Sequence, residues 1–104
     1  MTASGSYAVA WREPGGAVAT GSARVEAAGL VLRGAGPEGD AVRRRVPLSL
    51  VASVRIGRAA SDRVRGTRSV VLDLGHGIAV AVAPLGAGQV FELAELVAAQ
   101  ARAS

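Results

Sequence analysis

The chain has no cysteine, no lysine and one histidine among its 104 residues. The absence of cysteine excludes disulfides, thiolate nucleophiles and cysteine metal sites, and the absence of lysine excludes a Schiff-base lysine and a P-loop lysine. Aromatic residues are scarce, with one Phe, one Trp and one Tyr, although 50% of the chain is hydrophobic. The sequence therefore predicts a core of small and β-branched side chains.

Long hydrophobic segments are also missing from the chain. The longest apolar run, from Ile78 to Leu85, is much shorter than the roughly 20 residues that a membrane-spanning helix needs. The apolar residues near the amino terminus stop at Trp11 and have no basic residue before them, so we expect no signal peptide. We therefore expect a cytoplasmic protein, with attachment to the membrane surface as the alternative.

The length of the chain and the spacing of its turns predict one mostly-β domain. Residues 1–6 are expected to form a flexible tail, and residues 7–104 are long enough for a single hydrophobic core. Within them we predict seven short β-strands, because apolar and polar residues alternate between glycine- and proline-containing turns. In the first strand Tyr7, Val9 and Trp11 alternate with other residues and are expected to face the core.

The sequence makes a specific structural prediction for each of three further segments. The small residues of the second strand, from Ala17 to Glu26, predict a close neighbour or a bend. The arginine-rich segment from Arg58 to Arg68 is predicted to be an exposed polar loop. The flat strand from Ile78 to Ala83 is a candidate for edge-to-edge pairing in a homo-oligomer.

One amphipathic helix is predicted at the carboxyl terminus, after Pro84, where it is expected to close the β-domain. The helical period places its apolar side chains on one arc, made of Val90, Phe91, Leu93, Ala94, Val97, Ala98 and Ala101. On this basis Phe91 faces the core, and Phe91→Asp is expected to unfold the domain. Leu96 falls outside the arc and is a candidate for a contact with a protein partner.

The order of these elements and two local sequences resemble a known family. The apolar strand from Gly29 to Leu32 is followed, after a loop, by a segment from Val46 to Arg55 in which Val-Pro-Leu-Ser-Leu leads into a strand. This pattern resembles the bacterial and GRAM-like members of the pleckstrin-homology-like fold, over nearly the whole chain. The resemblance implies a seven-stranded, partly open barrel of two packed antiparallel sheets closed by the helix, and a binding or scaffold function. The first hairpin, Arg12 to Ala17, lacks the basic cluster of the phosphoinositide-binding members.

A literal G-x-G-x-x-G motif spans Gly34 to Gly39. In a dinucleotide-binding site such a motif opens a helix whose backbone N–H groups meet the phosphates. Here the residues that follow, from Val42 to Pro47, do not form an amphipathic helix, and Glu38 and Asp40 would repel phosphate. The motif is therefore interpreted as a loop, and no cofactor is predicted.

The reactive side chains form no recognisable catalytic or metal site. His76 is the single histidine, it is flanked by two glycines, and no cysteine or second histidine is present to complete a metal shell. It is interpreted as a turn residue. The carboxylates include no pair whose surroundings would separate their pKa values, so general acid–base catalysis is unsupported. We predict no catalytic, cofactor-binding or metal-binding residue and no enzyme activity.

The distribution of arginine is the one feature that predicts a binding site. Between Val42 and Val70 the chain has eight arginines and a single acid, Asp62. If the fourth and fifth strands and the following loop share a side, these guanidinium groups form a patch for phosphate or carboxylate. Strand alternation places Arg44 with Val42 and Val46 on the inner face, which conflicts with its charge and indicates an edge, a bulge or a partner. The candidate site residues are Arg43, Arg45, Arg55, Arg58, Arg63, Arg65 and Arg68.

Two functions and one purely structural interpretation follow from this stretch. The first function is a non-enzymatic binding or scaffold module for protein partners, including further copies of the chain. The alternative function is peripheral binding to an anionic membrane lipid through the same arginines. Nucleic acid is disfavoured, because no aromatic residue lies among the arginines to stack on bases. The structural interpretation is a solvated face that keeps the strands soluble and unpaired.

Overall fold

The computed structural model describes residues 5–27 and 29–103, which form seven strands and one helix. The predicted mostly-β domain with a carboxyl-terminal helix is confirmed. In chain order the elements are β1 (Gly5–Arg12), β2 (Val18–Val25), β3 (Gly29–Ala35), β4 (Ala41–Pro47), β5 (Ser53–Ile56), β6 (Val70–Gly75), β7 (Ile78–Pro84) and α1 (Gln89–Ala103). A 3-10 turn at Leu48–Leu50 links β4 to β5, and a second one at Ala60–Asp62 lies between β5 and β6.

The strands form one antiparallel sheet in the order β4-β3-β2-β1-β7-β6-β5. Two runs of hairpins, β1 to β4 and β5 to β7, are joined because β1 pairs with both β2 and β7. The sheet curls into a partly open barrel around a shared core, and β4 and β5 are its two edges. The expectation that the strand from Ile78 to Ala83 pairs edge to edge is wrong, because β7 lies between β1 and β6.

The inner face of the sheet carries the core, as strand alternation predicts. Tyr7, Val9 and Trp11 are all buried, and the predicted orientation of β1 is confirmed. The helix and the first 3-10 turn close the barrel by adding one leucine each to this core, Leu93 and Leu48. Most of the remaining core residues are valine and leucine, so the few aromatic residues leave a core of mainly aliphatic side chains.

The predicted close neighbour of β2 is found at Gly21. This residue pairs with Gly34 of β3, and a Cβ atom on Gly21 would collide with the carbonyl oxygen of Arg33. A Cβ atom on Gly34 would in turn collide with the carbonyl oxygen of Thr20. The two glycines therefore allow an approach of β2 and β3 that no other residue pair permits.

The helix is rotated relative to the predicted arc. Val90, Leu93, Val97 and Gln100 are its buried residues, whereas Phe91 is 54% exposed. Successive residues are about 100° apart around a helix, so Phe91 lies on the side of Val90 that faces away from Leu93. Leu96, predicted to be outside the arc, packs partly buried against the core beside Gly5. Both predictions are wrong because the start of β1 covers the Leu96 side of the helix.

The segment from Gly57 to Ser69, which we name the strap, is not simply an exposed loop. Its Val64 is completely buried and packs with Ala10 of β1 and Ala83 of β7. These two alanines lie on the outer face of the sheet, since they alternate with the inward residues of their strands. The prediction missed this packing because a single apolar residue among arginines shows no hydrophobic periodicity that would indicate a buried position.

The ends of the chain lie partly outside the described residues. Of the predicted flexible tail, residues 1–4 are outside them, whereas Gly5 and Ser6 already belong to β1 and pair with β2. Ser104, at the end of the predicted domain, is also outside them. Within the described ranges, no helix has the length and hydrophobicity required to cross a membrane.

Candidate anion-binding face

The seven arginines predicted as a site are divided between two parts of the molecule. Arg43 and Arg45 lie on β4, at one edge of the sheet, and Arg55 lies on β5, at the other edge. The remaining four, Arg58, Arg63, Arg65 and Arg68, are exposed residues of the strap. Arg43 and Arg45 line one cavity and Arg55 lines another. The structure therefore does not bring the predicted set together on one side.

The hairpin between β3 and β4 determines which residues face each other at the β4 edge. The G-x-G-x-x-G motif forms its turn, in which Pro37 and Glu38 are the central residues and Gly39 has a φ of 82°. Gly36 N–H donates to the Asp40 carbonyl at 2.8 Å. A turn of this kind followed by a left-handed residue is a common three-residue hairpin connection. The motif leads directly into a strand, in agreement with its interpretation as a loop.

This register places Arg33 of β3 directly opposite Arg43 of β4. In an antiparallel ladder, hydrogen-bonded and non-hydrogen-bonded residue pairs alternate. Gly36 and Asp40 are a hydrogen-bonded pair, so Arg33 and Arg43, three pairs further along, are a non-hydrogen-bonded pair. The side chains of a non-hydrogen-bonded pair lie closer together than those of a hydrogen-bonded pair. The carbonyl oxygen of Arg33 lies against Gly21 of β2, as this alternation requires. Like charges directly opposite each other in a sheet are destabilising, so this pair is unfavourable until an anion neutralises it.

Two further arginines complete the outer face of this half of the sheet. Val31 of β3 is paired directly with Arg24 of β2 on one side and with Arg45 of β4 on the other. Val31 is only 8% exposed although it is on the outer face. The alkyl stems of flanking arginines can cover an apolar residue in this way while their charged ends remain in water. We name Arg24, Arg33, Arg43 and Arg45 the arginine face.

The arginine face lines a cavity of about 230 Å³. Ser6, Ser22 and Glu26 also line it, so the cavity has four guanidinium groups and one carboxylate. Across residues 5–27 and 29–103, none of the four arginines forms an ion pair or a side-chain hydrogen bond. Guanidinium groups present paired N–H donors that match the two oxygens of a carboxylate or the oxygens of a phosphate. The cavity can therefore hold an anionic group.

Sequence reasoning missed Arg24 and Arg33 as members of this face. It considered only the arginines between Val42 and Val70. The signal that finds both is the hairpin register. Counting back from the turn at Gly36 and Asp40 pairs Arg33 with Arg43, and the next hairpin brings Arg24 beside them.

The other arginines of the described chain near this region have structural partners. Arg44, on the inner face, is paired with Glu13. Arg55 donates two hydrogen bonds to Asp62, at 3.2 and 3.4 Å, and thereby ties β5 to the strap. These bonds, with a further one from the Ala59 backbone N–H, hold the pKa of the Asp62 carboxyl below its usual value. Unlike the arginines of the arginine face, Arg44 and Arg55 are therefore already engaged with carboxylates of the chain.

The remaining reactive side chains are in turns or in structural contacts. His76 has a φ of 56° between two glycines with positive φ, in the turn between β6 and β7. This agrees with its interpretation as a turn residue. In the part of the chain that the structure describes, no three His, Asp or Glu residues are placed to hold a metal ion.

Comparison with protein-family models, with curated proteins and with solved structures gave no match to this chain. The resemblance to the pleckstrin-homology-like fold therefore stays a prediction, although the strand and helix content agrees with it. A function has to be inferred from the chemistry of the side chains themselves.

Proposed function

We propose that this chain is a non-enzymatic binding module that holds an acidic segment of a protein partner on its arginine face. The observation that supports this most strongly is the direct pairing of Arg33 with Arg43, without a carboxylate partner for either among the described residues. A carboxylate from a partner would relieve the repulsion between them and form charge-assisted hydrogen bonds with both.

The position of the face on the molecule supports a macromolecular partner. It lies on three adjacent strands, β2 to β4, and extends to the free edge of the sheet. The cavity has a volume of about 230 Å³, below the roughly 300–1,000 Å³ of typical small-molecule sites. A small metabolite usually occupies a larger and mostly apolar pocket, whereas a protein segment can bind along a charged strip that extends to a free sheet edge.

The test is direct binding of a fluorescently labelled oligo-glutamate peptide, measured by anisotropy. We expect Arg33→Gln/Arg43→Gln to weaken binding at least about tenfold, because each lost charge-assisted hydrogen bond contributes roughly 1.5–3 kcal/mol. The matched control is Arg58→Gln/Arg68→Gln, which removes the same charge from exposed positions of the strap. We expect this control to change the affinity less than about threefold, through long-range electrostatics alone.

The outcomes separate the proposal from its alternatives. Equal loss in both double variants would show a response to net charge and contradict a specific face. No loss in either would leave the arginines with the structural role of a solvated edge. The same variants are then tested on vesicles with and without phosphatidylserine. Arginine-face-dependent binding to the anionic vesicles, without peptide binding, would move the function to the membrane surface.

A further inference from the structure

The free edge of β4 presents unpaired backbone groups on a strand that ends the sheet. Because hydrogen-bonded pairs alternate with non-hydrogen-bonded pairs from Gly36–Asp40 onward, every second residue of β4 points its backbone groups away from β3. Ala41, Arg43 and Arg45 are these residues. Pro47, which has no N–H, occupies the next position of the same series. An incoming strand of about five residues is sufficient to pair with these three residues.

The two faces of this edge differ in chemistry. On the outer face lie Arg43 and Arg45, two members of the arginine face. On the inner side is a cavity of about 240 Å³, whose lining is mainly apolar and includes Val46, Leu50 and Ile78, with Arg44 and Arg45 also at its wall. Leu50 is 61% exposed and Ile78 is 45% exposed. We name this the seam cavity, since it lies where the partly open barrel does not close between β4 and the β6–β7 hairpin.

We propose that the edge of β4 accepts an extended segment of a protein partner in which acidic and apolar residues alternate. Side chains of a strand point alternately to its two faces, so a segment paired with β4 directs every second residue toward Arg43 and Arg45. The residues between them are directed into the seam cavity. This inference rests on the proposed function for its use of the arginines, and it adds the conformation and the sequence pattern of the partner.

A second copy of β4 is a poor occupant of the same edge. Pairing two β4 strands would bring Arg43, Arg44 and Arg45 of one copy against the same three residues of the other. Like charges on paired strands are destabilising, and edge charges of this kind are a known protection against self-pairing. An acidic partner instead turns the same arginines into a source of affinity.

The experiment compares two labelled peptides of identical composition by fluorescence anisotropy with the whole chain. One alternates Glu and Val, and the other has all its Glu residues before its Val residues. We expect the alternating peptide to bind at least about tenfold more tightly, since only it satisfies both faces at once. Leu50→Ser should remove most of this advantage. Leu85→Ser, at a leucine that is 56% exposed and does not line the seam cavity, should leave it unchanged.

Backbone methylation tests the strand pairing itself. In an antiparallel complex the Glu residues lie opposite Arg43 and Arg45 and exchange hydrogen bonds with them, so methylating the Glu amides should abolish binding while methylating the Val amides should not. In a parallel complex the sensitivity is reversed, because the donors then come from the residues between. Equal tolerance of both methylations would overturn strand addition.

The failures of the two proposals are distinguishable. If oligo-glutamate binds in a manner that depends on Arg33 and Arg43, but the alternating and block peptides bind equally, the arginine face stands and the strand addition is wrong. If no acidic peptide binds, both proposals are wrong. If the alternating peptide binds with full sensitivity to Leu50→Ser and none to Arg43→Gln/Arg45→Gln, the edge is an apolar site and the acidic pattern is wrong.

Discussion

Arg44 of β4 and Glu13, which follows β1, form an ion pair between the β1–β2 turn and the edge strand, with Arg44 Nη2 2.9 Å from Glu13 Oε2. Arg44 Nε also donates to Glu13 Oε1 at 3.2 Å, and Trp11 Nε1 donates to the same oxygen at 3.1 Å. One carboxylate thus holds the indole of the core and the edge strand together. The pair explains how an arginine occupies a position that strand alternation directs inward.

We expect Glu13→Ala to destabilise the domain more than Arg44→Ala. Glu13→Ala removes the acceptor of both Trp11 and Arg44, which should lower the free energy of unfolding by about 1–2 kcal/mol. Arg44 is half exposed, so Arg44→Ala should cost only about 0.5 kcal/mol. Urea unfolding followed by the fluorescence of Trp11, the single tryptophan, measures both. A larger loss in Arg44→Ala than in Glu13→Ala would contradict this order.

The rotation of the helix reverses an expectation about Phe91. Because Phe91 is on the solvent side, Phe91→Asp should leave the domain folded, with a change in the free energy of unfolding of about 1 kcal/mol or less. Leu93→Ala, at a completely buried position, should cost about 2–5 kcal/mol. Circular dichroism and urea unfolding of the two variants decide between the orientations. Loss of folding in Phe91→Asp would show that Phe91 faces the core, as the predicted arc has it.

Local sequence determines the orientation of a strand more completely than the rotation of a helix. The alternation of Tyr7, Val9 and Trp11 sufficed to orient β1, since the side-chain period of a strand has only two solutions. A helix can be rotated about its axis by any angle against a sheet. Alanine occupies much of the surface of α1, so the apolar arc did not specify the angle of rotation. The contact of Leu96 with the start of β1 selects the rotation, and it joins residues that are far apart in the sequence.

The arginine site was predictable only in part for a related reason. Charge density along the chain identified Arg43 and Arg45, but it grouped them with strap residues that the fold places elsewhere. Spatial grouping follows the register of paired strands, and that register brings Arg24 and Arg33 to the face. A turn such as Gly36 to Asp40 encodes the register of one hairpin, whereas the pairing of β1 with β7 has no local signal.

Arg12 is expected to hold the strap against the sheet. Its guanidinium donates to the carbonyl oxygens of Ser61 at 2.7 Å and Arg63 at 2.6 Å. Arg12→Gln cannot reach both, so the free energy of unfolding should fall by about 1–2 kcal/mol, and the arginines of the strap should become more sensitive to trypsin. Arg68→Gln, with the same change of charge, should have an effect within about 0.5 kcal/mol. Equal trypsin sensitivity in the two variants would show that Arg12 does not anchor the strap.

Tyr7 is expected to make the domain less stable at high pH. Its ring is buried and its hydroxyl donates to Glu92 Oε1 at 2.9 Å, so burial first, and then the bond to this carboxylate, raise the pKa of Tyr7 above its usual 10.0. A raised pKa in the folded state means that the stabilisation is fully present below pH 10 and is lost as the pH rises through the folded value.

The chain has one tyrosine, so the ultraviolet absorbance of tyrosinate reports Tyr7 alone. We expect its ionisation in the folded protein at a higher pH than in the urea-unfolded chain. Glu92→Gln should lower the folded pKa without removing the whole shift, because burial is the larger cause. Tyr7→Phe should remove the loss of stability that tyrosine ionisation causes above pH 10. An ionisation midpoint equal in the folded and unfolded states would show that the hydroxyl is neither buried nor bonded to Glu92 in solution.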